Sequence, residues 1–144
     1  MEHAENYRDL KAYQECKSLA LEIFEISKRF PKEERYSLTD QIRRSSRSVG
    51  AQIAEAWARR PHEKHFVSKL YDADGEQMET QHWINVSMDC SYLTEEASLG
   101  LLNRYARLGR MLQTMIDKAS SFCNAPNKPD KNRKSDDDER KPSP

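Results

Sequence analysis

LTDQIRRSSRSVGAQIAEAWARR, residues 38–60, and FVSKLYDADGEQMETQHWINVSMDCSYL, residues 66–93, decide the fold of this chain. In the first stretch Leu38, Ile42, Ser45, Val49, Ile53 and Ala56 recur at steps of three and four, the period of one helix face. In the second, Phe66, Leu70, Ala73, Gln77, Thr80 and Ile84 alternate four and three, a heptad-like seam. Neither stretch alternates apolar and polar residues as a half-buried strand does. Beside the first seam stand Ser46, Gly50, Ala51 and Ala54, small enough to let another helix approach closely, so helix two is expected to be the most enclosed.

The same spacing extends outward in both directions. Upstream, Leu10, Tyr13, Cys16, Leu19 or Ala20, Ile23, Phe24, Ser27 and Phe30 outline a first helix, with Asp9 as its expected cap and Pro31 as its stop. The link PKEERY, 31–36, leads to helix two, expected to end near Arg60. Pro61 suits the first turn of helix three, where a missing amide is harmless. Downstream, Thr94 precedes Glu95 and Glu96, an N-cap with acidic residues at the positive helix end. The fourth helix should present Leu99, Leu102, Tyr105 or Ala106, Gly109, Leu112, Ile116 and Ala119, closing near Phe122. Four helices with short links predict an all-α, antiparallel up-and-down four-helix bundle over residues 1–123. Helix three carries a second stripe, Val67, Tyr71, Gly75 and Met78. Two readings fit it: a subunit contact between copies, or a broadened internal core face.

Composition narrows the class further. The chain has 144 residues, 33% charged, 36% hydrophobic, with a mean hydropathy of −1.00, which suits one domain burying one stripe per helix. Residues 124–144, NAPNKPDKNRKSDDDERKPSP, hold four prolines, many charges and no large apolar side chain, and are expected to be a disordered tail. Cys16, Cys90 and Cys123 are odd in number and follow no ligand spacing, which fits a reducing compartment. The polar N-terminus does not resemble a signal peptide, and no apolar run reaches the length of a membrane span. A cytoplasmic protein is expected.

Net charge is zero over the chain, but the charges are segregated. Residues 41–69 hold Arg43, Arg44, Arg47, Arg59, Arg60, Lys64 and Lys69 against Glu55 and Glu63, whereas 70–96 hold seven acidic residues and neither Lys nor Arg. Segments of opposite sign can pair within a bundle or between subunits. The rival use is a nucleic-acid surface: Arg59, Arg60 and Lys64, with His62 and His65, cluster at one helix junction. Arg43, Arg44 and Arg47 share helix two but are better suited to internal ion pairs and stem packing.

No catalytic or metal set is expected, and no cofactor. Glu79 and His82 have the Glu-x-x-His spacing of di-iron bundles, yet helices one, two and four contain no His to complete it. His62 and His65 have no evident third ligand. Glu22 with Glu25, and Glu76 with Glu79, are similar to the acidic pairs of helical nucleotide pyrophosphohydrolases, but they stand about fifty residues apart. Charged solvent faces explain them. No glycine-rich phosphate loop is present.

DLKAYQ (9–14), FPKEERYSLTDQIRRSS (30–46) and QIAEAW (52–57), followed by Arg59 and Arg60, together resemble the four-helix proteins encoded in intervening sequences of bacterial 23S rRNA genes. The resemblance spans about residues 7–120. It implies antiparallel four-helix protomers in a homopentameric barrel, with no catalytic residues. A related accessory protein of diversity-generating retroelements binds nucleic acid and a reverse transcriptase, so the resemblance implies an RNA or reverse-transcriptase-like partner. Where many relatives carry glycine this chain has Ala56 and Ala58, which stiffens helix two. Because residues 1–123 hold 18 basic and 19 acidic side chains, nucleic-acid affinity would have to come from local geometry. The expectation is a non-enzymatic oligomeric bundle binding RNA through Arg43, Arg44, Arg47, Arg59, Arg60 and Lys64. The alternative is a purely structural homo-oligomer whose charges serve assembly.

Overall fold

The computed structural model describes residues 4–123; the expected tail, 124–144, lies outside the described residues. A 3-10 turn, Tyr7–Asp9, precedes α1, Lys11–Ser27, and a second, Lys32–Glu34, joins it to α2, Leu38–Ala58. Then follow α3, Glu63–Asp89, α4, Glu95–Asp117, and the short α5, Ala119–Cys123. There is no strand among the described residues. Each long helix packs on the next in the chain, and α1 closes the ring against α4. The direction of travel is legible in the α2–α3 pairs Arg44–Glu79, Ser45–Thr80 and Glu55–Lys69, where one number rises as the other falls. That register is antiparallel.

Every residue of the two defining seams is buried: Leu38, Ile42, Ser45, Val49, Ile53 and Ala56 on α2, and Phe66, Leu70, Ala73, Gln77, Thr80 and Ile84 on α3. Their polar members are satisfied inside the bundle, as buried polar groups must be. Thr80 Oγ1 donates to Ser45 Oγ at 2.8 Å. Gln77 Nε2 donates to Asp74 Oδ1 at 2.9 Å, and Gln77 Oε1 accepts from Gln81 Nε2 at 2.7 Å. Opposite this cluster α4 places Gly109, where a Cβ would stand only 2.9 Å from Gln77 Nε2, so the glycine permits the α3–α4 approach.

Several boundaries differ from the sequence reading. Asp9 does not cap α1; its carboxylate accepts from the amides of Glu5 and Asn6 at 3.0 and 3.2 Å, forming a capping box for the first 3-10 turn. Leu10, in extended conformation, separates that turn from α1. α1 stops at Ser27, before Phe30 and Pro31, and Pro31 instead starts the second 3-10 turn. α2 ends at Ala58 and α3 begins at Glu63, because the reversal uses Arg59–His62, with the His62 amide donating to Arg59 O at 2.8 Å. Thr94 caps α4 as expected, its hydroxyl accepting from Ala97 N–H at 3.1 Å.

The buried face of α4 is rotated from the expected one. Ser98, Leu101, Tyr105, Leu108, Leu112 and Met115 face the core, followed by Ala119, while Leu99 is 49% exposed. Leu102, Gly109 and Ile116 are half-buried. α4 touches both α3 and α1, so the face between those two contacts turns inward, and a crowded run of leucines cannot announce which one that is. The helix also breaks at Lys118, which separates α5 from α4.

Candidate nucleic-acid interface and subunit face

The six candidate cations fall into three environments. Arg43 and Arg47, one turn apart on α2, lie over the Phe24 ring of α1 at 4.7 and 5.3 Å, and Arg43 Nε also donates to Ser27 Oγ at 2.7 Å. Arg44 points the other way, toward α3, with Nη2 2.6 Å from Glu79 Oε2 and Nη1 3.8 Å from Glu76 Oε2. Glu79 additionally accepts from Trp83 Nε1 at 3.0 Å. Burial raises the Glu76 carboxyl above its ordinary range, and the Arg44 charge only partly offsets this. Arg59, Arg60 and Lys64 stand at the far end of α2, about 24 Å from Arg43 by the rise of an α-helix. The structure therefore does not join the six into one patch.

The α2–α3 junction is built by the turn itself. Arg59 caps α2, its amide donating to Glu55 O and Ala56 O at 3.1 and 2.9 Å. Arg60 folds back, with Nε donating to Trp57 O at 3.0 Å and its guanidinium 3.5 Å from the Trp57 ring centroid. Burial pulls its pKa down, and the guanidinium itself is held over the ring. Arg59, Lys64 and His65 are exposed, and neither Arg59 nor Lys64 forms an ion pair with a described residue. The His62 and His65 rings are 5.6 Å apart. Phe122 of α5 stacks at 5.8 Å on Phe66, holding the start of α3 in place.

The opposite charges of the two segments meet within one protomer along the α2–α3 seam. Lys69 joins it, with Nζ 2.9 Å from Glu55 and 3.8 Å from Asp72. The carboxylates considered as metal ligands have other partners: Glu22 binds Arg104, Glu25 binds Lys28 and Glu79 binds Arg44. His82 is exposed and packs beside Trp83, with ring centroids 4.7 Å apart. Among the described residues no three of His, Cys, Asp and Glu are grouped as a metal site. Nor is any described helix long and apolar enough to cross a membrane.

The second stripe of α3 divides. Val67 is half-buried and packs against the core, while Tyr71 and Met78 are 53% and 58% exposed and Gly75 is exposed between them. The small residues of α2 are likewise not all covered. Gly50, Ala51 and Ala54 line an open groove of about 320 Å³ against Tyr13, Lys17 and Ala20 of α1. Its floor holds the Cys16 thiol, which burial pushes up to about 12, so it is unreactive at neutral pH.

Two interhelical contacts escaped the sequence reading. Phe24, on the expected seam of helix one, is instead the ring beneath two arginines. Arg104 of α4 reaches across to α1, binding Glu15 at 3.0 Å and Glu22, with Ser18 Oγ at 3.3 Å. The available signal was the polar row Glu15, Ser18 and Glu22, spaced by three and four along one helix edge.

The chain matches the family model described as 23S rRNA-intervening sequence protein over residues 8–114. It is also similar to a crystal structure of a protein of unknown function from the S23 ribosomal protein family of Bacteroides thetaiotaomicron. The TM-score is 0.67 and the identity 26%, with 74% of this chain and 95% of that chain covered. No curated protein matches.

Proposed function

The chain belongs to the 23S rRNA-intervening sequence protein family, and from that membership we propose that it is a non-catalytic, self-associating helical scaffold that binds RNA phosphates at the α2–α3 junction. One observation carries the reading: Arg59 and Lys64 are exposed and without ion-pair partners among the described residues, whereas Arg44 and Lys69 are matched to carboxylates. A cation with no protein counter-charge keeps its attraction for an external anion. Arg60 on Trp57 sets the junction's shape and brings a third positive charge. Arg43, Arg44 and Arg47 serve the protomer and its contacts rather than RNA. Self-association is supported by Tyr71 and Met78, two large apolar side chains left uncovered two turns apart on α3. We place the protein in the cytoplasm with its RNA.

Binding to a structured RNA should weaken steeply with salt, since each phosphate contact releases counterions. Replacing Arg59→Glu and Lys64→Glu together should lower affinity about tenfold or more at low salt and flatten the salt slope, with helicity and native mass unchanged. Fluorescence anisotropy across a salt series checks this. Absence of binding to structured RNA at low ionic strength, or salt-independent binding, refutes the RNA reading. The structural alternative, a homo-oligomer with no RNA ligand that is supported by the uncovered Tyr71 and Met78, requires that the same double substitution dissociate the oligomer.

A further inference from the structure

The geometry points to the open α1–α2 groove as the receptor for the outer face of α3 from a second copy of this chain, so that protomers join head to tail. The inference rests on the self-association half of the reading above and assigns its two mating faces.

The groove is built for a helix. Ala20, Gly50, Ala51 and Ala54 project almost nothing into it, and small residues let a partner helix approach closely. Gly50 lies against α1: a Cβ there would stand 3.3 Å from Cys16 Sγ and 3.5 Å from the Tyr13 ring, so the floor is already filled from within. What remains is shallow, apolar and open to the outside. Its charged lining residues are Lys17 and Arg47, both exposed, and no Asp or Glu lines it.

The outer face of α3 is the complement in three respects. Its protruding residues are large, Tyr71 and Met78, where the groove is small. Between them Gly75 has open space where a Cβ would stand, leaving a flat strip of backbone. The sequence from Leu70 on is acidic where the groove is basic: residues 70–96 contain no Lys or Arg, and Asp72, exposed beside Tyr71, keeps half its side chain in solvent although Lys69 stands 3.8 Å away. The lengths also agree. Tyr71 to Met78 and Arg47 to Ala54 each span seven positions, about 10 Å of helix. Opposite charges flanking an apolar strip set the orientation of the contact as well as its strength.

The two faces belong to different helices of one rigid bundle, so neither can satisfy the other within a protomer. A contact between unlike faces is heterologous, and repeated, it closes into a ring or extends as a filament. It also uses Arg47 in assembly, which leaves the α2–α3 junction for other ligands.

Two variants at exposed positions test the assignment. One carries Tyr71→Glu and Met78→Glu; the other carries Lys17→Glu and Ala51→Glu. Native mass spectrometry and circular dichroism are read on the wild type, on each variant and on their equimolar mixture. A multimeric wild type, two helical monomeric variants and a mixture at twice the protomer mass are expected, because the mixture regains one intact contact. An oligomer that survives the groove substitutions overturns the groove assignment while leaving self-association standing. A mixture that stays monomeric overturns it too, since a face pairing with itself cannot be complemented. A monomeric wild type removes self-association and the assignment together.

Discussion

Ser91 has a φ of 64°, the one positive value among the described non-glycine residues, and it sits where α3 hands over to α4. The amides of Ser91 and Tyr92 donate to Met88 O and Ser87 O, both at 2.9 Å, the pattern of a Schellman cap. That position prefers glycine, since a Cβ strains the left-handed conformation. Ser91→Gly should therefore raise stability by about 0.5–1 kcal/mol in urea unfolding; a loss would mean that the serine side chain holds the turn. The candidate site is also best judged residue by residue. That Arg59 and Lys64 share a junction was legible, because Pro61 interrupts two helical periods between them. That Arg44 is consumed by Glu79, 35 positions away, was not, because spacing along α2 says nothing of which face meets α3. Arg60 lay in the same cluster as Arg59, yet only the turn geometry lays it on Trp57.

Helices α2 and α3 were read with the right inward face because their seams are single: each turn offers one apolar or small residue to the core. α4 offers Leu99, Leu101 and Leu102 within four positions, so its period was clear and its phase was not. Packing against α3 and α1 selected the phase that buries Leu101 and Leu108. The α1–α4 edge then gains a polar clamp. Burial alone would lower the Arg104 pKa, but hydrogen bonds and charges from Glu22 and Glu15 outweigh it and raise the value. The side chain is 35% exposed, so solvent screens much of the attraction. A double-mutant cycle with Arg104→Ala and Glu15→Ala should give a coupling of about 0.5–1 kcal/mol that shrinks at high salt. A coupling near zero at low salt would reduce the clamp to packing of the arginine stem.

At the scale of the molecule, successive helices are packing partners, and the links between distant parts of the chain among the described residues are the α1–α4 edge, α5 against α3 and the first 3-10 turn against α2. Such local topology predicts helix recovery in roughly milliseconds or faster after dilution from denaturant, independent of protein concentration. If copies associate as proposed, association should follow as a slower phase whose rate rises with concentration. Stopped-flow circular dichroism separates the two, and helix recovery that depends on concentration from the start would mean the protomer does not fold alone. The sequence by itself determined the all-α class, four helices in alternating direction and the inward faces of α2 and α3, because these follow from the period of apolar residues along a continuous chain. It also located the basic junction and the second stripe of α3. Only the tertiary structure decided the phase of α4, the division of the arginines between ion pairs, aromatic rings and solvent, and the open α1–α2 groove. Those features are relations between helices, set by which faces remain uncovered once the bundle closes, and no single helix's period encodes them.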